Sequence, residues 1–289
     1  MSTTSTPLRY PGGKSRLARF FSFLLRHNGI SDCTYVEPFA GGAGAAINLL
    51  RKEYVRVLYL NDIDPSIYAF WDAVLHHTED LCRLVAEVPL TMEEWQRHHD
   101  IVNFPGSSSP VELGFAVLFM NRTNRSGIIK GGVIGGQRQT GKWKIDARFN
   151  RAGLIEKINR IGAYRHRIHI FCMDARDFLT DVVAKRREPI FIYLDPPYYD
   201  KGRALYENYY GHDDHATLAK TLEALYDLPW VVSYDNVPPI FKFYEGCSHL
   251  SYGIKYSAAD RYEGKEIMFF GPMIKQPIFE DPLSIKDYA

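Results

Sequence analysis

The apolar and polar positions divide the chain into three stretches. From residue 34 to residue 74 the rhythm is strand, turn, helix, strand, helix. Thr34-Tyr35-Val36 runs into Glu37-Pro38-Phe39-Ala40-Gly41-Gly42-Ala43-Gly44. Ala45 to Arg51 has helix-forming composition, and Val55-Arg56-Val57-Leu58-Tyr59-Leu60 returns to β-branched and aromatic residues. This is a βαβ unit. Asn61-Asp62-Ile63-Asp64-Pro65 follows it, with Pro65 placed to open a helix over Ser66 to Val74. Between about residues 75 and 165 the strands disappear. Helical patterns lie at 79–87, 91–102 and 111–120, with a Pro-Gly-Ser-Ser-Ser-Pro linker at 105–110 and a Gly-rich basic loop at 126–142. Strand patterns resume at 168–171, 190–194 and 230–234, with a helix from His215 to Tyr226 between the last two. Two final runs, about 247–256 and 265–270, flank a polar loop from Ser257 to Gly264.

Strands alternating with helices predict an α/β fold with a mainly parallel sheet, closed by a C-terminal antiparallel hairpin and interrupted by a mainly helical insertion. The expected division is one domain of residues 1–74 and 165–289 and an inserted domain of residues 75–164. Composition fits a soluble folded protein: of 289 residues, 46% are hydrophobic and 24% charged, which excludes wholesale disorder and a bilayer-spanning bundle. Cys33, Cys82, Cys172 and Cys247 form no C-x-x-C pair, so neither a zinc ribbon nor a disulfide framework is expected. The Ser/Thr-rich start does not read as a signal peptide, and no apolar run has membrane-spanning length. A cytoplasmic setting is the expectation.

Two motifs carry chemistry. Gly41, Gly42 and Gly44 follow a strand and open a helix, where small residues let the backbone approach an adenosine-containing ligand, and Asp62 sits where an acid would take ribose hydroxyls. Alone, such a cluster equally serves helix–strand packing and does not separate a nicotinamide oxidoreductase from other users of adenosine. Asp195-Pro196-Pro197-Tyr198 is more specific. A carboxylate, two prolines and an aromatic directly after a fully apolar strand present a rigid loop at the carboxyl end of the sheet. The exocyclic amine of a purine is a poor nucleophile because its lone pair is delocalised. Hydrogen bonds from its N–H groups to Asp195 and to the Pro196 carbonyl would localise that pair, and Tyr198 could stack on the base.

With these pieces in order, the sequence resembles the Dam-type DNA adenine-N6 methyltransferases, α-class amino methyltransferases that use S-adenosylmethionine. The resemblance covers nearly the whole chain. Leu8-Arg9-Tyr10-Pro11-Gly12-Gly13-Lys14 is similar to the family's N-terminal motif, which implies cofactor contacts from Tyr10 and Lys14. Val36 to Gly44 looks like its cofactor loop, implying roles for Glu37, Phe39, Gly41 and Gly42, and Asp62 matches its ribose-binding acid. Asp195 to Tyr198 matches the catalytic tetrapeptide, with Asp195 also beside the cofactor. Either Asp174 or Asp177 could accept the cofactor adenine's amino group, and Asp174 lies nearer the strand end. The resemblance implies a Rossmann-like methyltransferase fold and direct methyl transfer to N6 of an extruded adenine, with cytosine-N4 transfer as the nearest alternative. A non-catalytic DNA-binding relative would not need the intact tetrapeptide. No Pro-Cys pair is present for cytosine-C5 chemistry.

Charge supports a DNA partner. Lys+Arg 35 against Asp+Glu 34 gives only +1 overall, yet from Asn121 to Arg151 the bases Arg122, Arg125, Lys130, Arg138, Lys142, Lys144, Arg148 and Arg151 oppose Asp146 alone. Such an excess suits phosphate tracking on double-stranded DNA, with Arg122, Asn124 and Arg125 able to read base edges and Trp143 and Phe149 able to stack or wedge. Arg261 and Lys265 in the hairpin loop are a weaker second candidate. His212-Asp213-Asp214-His215 reads as a helix start rather than a metal site. His76-His77 and His98-His99 are expected on helix surfaces, and Ser233-Tyr234-Asp235-Asn236 either shapes a base pocket or forms an Asx turn. The expected protein needs no metal, touches no membrane, is a monomer or weak dimer, and associates with the nucleoid through DNA.

Overall fold

The computed structural model describes residues 6–9, 14–199, 210–256, 262–278 and 282–283, leaving aside the side chains of residues 107, 254–256 and 262–265. Its strands are β1 (Thr34–Glu37), β2 (Val57–Asn61), β3 (Ile168–Phe171), β4 (Ile190–Leu194), β5 (Trp230–Asp235), β6 (Ser248–Tyr256) and β7 (Tyr262–Phe270). Its helices are α1 (Ala18–His27), α2 (Gly44–Arg51), α3 (Pro65–His76), α4 (Thr78–Glu87), α5 (Met92–Asn103), α6 (Pro110–Thr123), α7 (Arg151–Gly162), the turn α8 (Ala175–Asp177), α9 (His212–Ala224) and α10 (Pro238–Phe243). The chain folds as two compact units.

One unit comprises Lys14–Ile63, Phe171–Tyr256 and the residues from Arg261 onward. Strand order within this unit is β2-β1-β4-β5-β7-β6. β1 pairs parallel with β2 and β4, β4 pairs parallel with β5, and β7 runs antiparallel to β5 and β6. Parallel strands bury both faces, which is why β1, β4 and β5 are buried at every position. On one face Tyr35, Phe191 and Tyr193 meet Phe21 of α1. On the other, Val36, Ile192, Leu194 and Val232 share a core with Phe178, Leu218, Leu222 and Ile240. Each such side chain contributes about 1.5–3 kcal/mol when taken out of water. The direction change between β1 and β4 puts the carboxyl ends of both strands at a topological switch point, where open α/β sheets bind ligands. Helix α1 was not among the predicted elements, although Phe20, Phe21, Leu24 and Leu25 recur at helical spacing and are buried.

The second unit comprises Asp64–Ile170 with residues 6–9. Asp64 caps α3 by accepting from the Ser66 N–H at 2.8 Å, with Pro65 in the first turn as expected. Helix α3 packs on α6 so closely that a Cβ on Gly114 would lie 2.4 Å from the Ala69 carbonyl oxygen. This packing groups α3 with the helical lobe, ahead of the boundary expected at residue 75. Helix α7 was also not predicted; Leu154, Ile158 and Ile161 form its buried stripe. Helix α6 runs past residue 120 to Thr123, so Asn121, Arg122 and Thr123 form its last turn and not the start of a surface loop. No helix among the described residues is long and apolar enough to cross a membrane.

Candidate active site and nucleic-acid interface

At the end of β1 the chain must reverse in a few residues to start α2. Gly41 takes φ +44°, a left-handed conformation in which a side chain is strained, and its N–H donates to Asp62 Oδ2 at 2.9 Å. The acid after β2 is thereby tied to the glycine turn. Buried Asn61 clamps the neighbouring loops: its Nδ2 donates to the Pro38 and Met173 carbonyls, both at 3.0 Å, and its Oδ1 accepts from Met173 N–H at 3.0 Å. One amide after a strand carries no distinguishing signal in the sequence, so the clamp formed by Asn61 is visible only in the fold. Glu37, buried at the end of β1, accepts from the Tyr35 hydroxyl at 3.1 Å; burial raises its carboxyl to about 8 against that bond. Phe39 is half-buried edge-on to Tyr210, and Gly42 is buried in the turn. Asp174 caps α8 through Arg176 N–H and pairs with the Arg176 side chain at 3.0 Å. Although burial opposes it, these bonds hold the Asp174 carboxyl below its ordinary value. Asp177 lies inside α8. Tyr10 and Arg261 lie outside the described residues, as does the side chain of Lys265.

Asp195 leaves the central strand β4 with a side chain 27% exposed. Its Oδ1 accepts from Ser233 Oγ at 3.1 Å and pairs with Lys14 Nζ at 3.3 Å. Ser233, a single polar position in the apolar run Trp230–Tyr234, also bonds the Tyr193 hydroxyl at 2.8 Å. That interruption was the signal for its role. Lys14 opens a short 3-10 turn and is buried; its ammonium lies 2.9 Å from both oxygens of Glu266 and 2.8 Å from the Tyr198 hydroxyl. Burial alone would lower the Lys14 pKa, but Asp195 and Glu266 outweigh it and raise it. Burial pushes Asp195 up to about 6, Lys14 pulling against it and Glu266 adding to it. Pro196 is buried and Pro197 half-buried, and Asp235 accepts from Tyr199 N–H at 2.9 Å, fastening the loop to the end of β5. Tyr198 departs from expectation. Its ring is buried beneath Lys14, 5.3 Å from Nζ, and its hydroxyl bonds Glu266, so here it acts through its oxygen and not as a presented stacking face. Glu266 was not singled out from sequence, because an acid opening an apolar run looks like a strand end.

The basic loop is ordered by its own polar groups. Gln139 Nε2 donates to the Ile134 and Gly136 carbonyls, and its Oε1 accepts from Ile145 N–H at 2.9 Å. Arg125, Lys130, Arg138, Lys142 and Lys144 are exposed. Lys144 reaches the Gln139 carbonyl. Trp143 is 61% exposed, with Lys142 Nζ 5.8 Å and Arg148 Cζ 6.0 Å from its ring. Arg122 and Asn124 correct the expected base readers. Arg122 is 9% exposed, donates to the Pro7 carbonyl, and is pushed down to about 10 by burial and then by Arg9. Asn124 is fully buried, accepting from Trp95 Nε1 at 2.7 Å and donating to the Ile128 and Ile129 carbonyls. Both residues belong to the end of α6 and hold the loop in place. Phe149 is likewise buried, against Phe119, and cannot act as a wedge in this conformation. His98 is buried against Phe115 and Phe119, not on the helix surface. His212 instead opens α9, where Asp213 and Asp214 lie in the first turn. No group of three or more His, Cys, Asp or Glu side chains among the described residues could hold a metal.

The family model of the D12 class N6 adenine-specific DNA methyltransferases matches residues 10–258. No curated protein matches the chain.

Proposed function

The chain belongs to the D12 class of N6 adenine-specific DNA methyltransferases, and from that premise we propose that its sheet unit binds S-adenosylmethionine and that Asp195 holds the amino group to be methylated. The observation that carries this reading is an acid ending the central strand β4, beside the glycine turn that ends β1. The residues fit the cofactor's chemistry. A glycine turn with a left-handed Gly41 leaves room for backbone approach, and Asp62, already tied to that turn, offers a carboxylate to ribose hydroxyls. Asp174, partly exposed at the end of β3, suits an adenine amino group, and Phe39 and Glu37 line the start of the turn. S-adenosylmethionine, when bound, supplies a methyl group made electrophilic by its sulfonium.

The protein's own contribution is positioning and electrostatics. Asp195 and the Pro196 carbonyl accept the two N–H groups of adenine N6, which localises the lone pair and aims it. Pro197 stiffens the loop, and Tyr198 anchors it from below through Lys14 and Glu266. In the helical unit, Arg125, Lys130, Arg138, Lys142 and Lys144, with Arg148, track the phosphates of double-stranded DNA, and exposed Trp143 stacks on or between bases. The adenine must leave the helix, since its N6 is otherwise committed to pairing. Asp195→Ala should abolish label transfer from S-adenosylmethionine to DNA while calorimetry still detects cofactor binding. Retained transfer would refute the role given to Asp195.

A further inference from the structure

Resting on that reading of Asp195, the geometry points to a role for Glu266 that neither the family match nor the tetrapeptide assigns. We propose that Glu266 is a positioning residue that anchors the Lys14 ammonium, so that Lys14 fixes Oδ1 of Asp195 without capturing the carboxylate and Oδ2 stays open to the substrate amine.

A lysine ammonium has three donors. Those of Lys14 are directed at Glu266, Tyr198 and Asp195, which leaves none over. The ammonium sits 2.9 Å from both Glu266 oxygens and 3.3 Å from Asp195, so Glu266 is its primary counter-ion. Glu266 is fully buried and is itself held by the hydroxyls of Tyr252, at 2.7 Å, and Tyr198. An unpaired charge there would be strongly disfavoured, and the cluster supplies it with one cation and two hydroxyl donors. On Asp195, both protein partners converge on Oδ1. Among the described residues none bonds Oδ2, and the side chain retains solvent access. With Oδ1 engaged by both a serine and a lysine, the rotation of the carboxylate is restrained and Oδ2 is the oxygen left for a further donor.

Were Glu266 neutral, Lys14 would have Asp195 as its one charged partner. The ammonium would close on the aspartate and compete with the weakly polar amine for both oxygens. Glu266 thus keeps the Lys14 ammonium from closing on Asp195, while Lys14 holds the orientation of the aspartate. Among the described residues, the groups that interact with Asp195 are Lys14 from the 3-10 turn, Tyr35 and Glu37 from β1, Tyr193 from β4, Ser233 from β5, Tyr252 from β6 and Glu266 from β7, with Tyr198 bonded to Lys14 and Glu266. Of these, Lys14 stabilises the ionised form and Glu266 opposes it.

The test compares Glu266→Gln, Lys14→Met and their double variant with the wild-type full chain, measuring kcat and KM for methyl transfer across pH. Glu266→Gln should lower kcat by about tenfold or more with little change in cofactor KM. It should also move the acidic limb of kcat to lower pH by roughly one unit, because a like charge has been removed from Asp195. Lys14→Met should move that limb the opposite way, and adding Glu266→Gln to it should cause no further loss of kcat. Tyr252→Phe, which removes one donor to Glu266 and keeps the charges, provides the same readout if Glu266→Gln does not fold; it should shift the limb slightly upward, since a less stabilised Glu266 competes harder for Lys14. An unmoved limb, an effect on KM alone, or losses that add in the double variant would overturn the proposal. Those outcomes presuppose an active wild type, so an inactive wild type strikes the underlying function instead.

Discussion

A buried carboxylic acid is governed by the charged and polar groups around it, and two adjacent strands end here in contrasting cases. Asp195, at the end of β4, has Lys14 to offset its burial. Glu37, at the end of β1, has no cation among its partners in the described residues; there the Tyr35 hydroxyl and the Ala46 N–H favour its charged form, and burial raises its carboxyl to about 8. At neutral pH Glu37 is therefore mainly a neutral acid. Because its folded pKa exceeds its unfolded one, its contribution to stability is fully present below the ordinary carboxylate range and is lost as pH rises through about 8. Glu37→Gln cannot ionise. Urea unfolding of the ligand-free protein should show the variant gaining on the wild type as pH increases from 5 to about 8.5. Parallel stability profiles over that range would mean that Glu37 is already charged.

At the scale of elements, packing decided what local pattern left open. Helix α6 approaches α3 through Gly114, where a methyl group would meet the Ala69 carbonyl at 2.4 Å and the Ala73 side chain at 2.7 Å. Gly114→Ala gains helix propensity but overpacks this contact, and a net loss of about 1–2 kcal/mol is expected from the denaturation midpoint. A neutral or stabilising result would contradict the packing of α3 on α6. The parallel strands and the closing hairpin were legible because their apolar runs are short, β-rich and separated by turn residues. The glycine turn, Asp62 and the tetrapeptide were legible because they abut those runs. What sequence could not supply was the end of α6. Asn121-Arg122-Thr123-Asn124 has the composition of a loop, and only the capture of Pro7 by Arg122 and of Trp95 by Asn124 turns it into interior structure. Glu266 was hidden for a similar reason: it lies far along the chain from Lys14 and Asp195, and only the pairing of the antiparallel strand β7 with β5 makes them neighbours.

For the whole molecule, near-neutrality conceals an uneven distribution. The segment from Asn121 to Arg151 is strongly basic, and the rest of the chain is net acidic. With Arg122 committed to the interior, the exposed bases of the loop are Arg125, Lys130, Arg138, Lys142, Lys144 and Arg148. If each neutralises a phosphate, the logarithm of DNA affinity should fall with the logarithm of salt concentration at a slope of about −5. Cofactor affinity should change little over the same range, and a flat DNA response would contradict phosphate contacts by this loop. The central claim is that this chain methylates adenine N6 in DNA through Asp195. Its most direct test is incubation of unmethylated DNA of diverse sequence with wild type or Asp195→Ala and labelled S-adenosylmethionine, followed by digestion to nucleosides. The account predicts label in N6-methyladenine for the wild type and none for the variant; label in a cytosine product, or equal N6-methyladenine from both proteins, would contradict it.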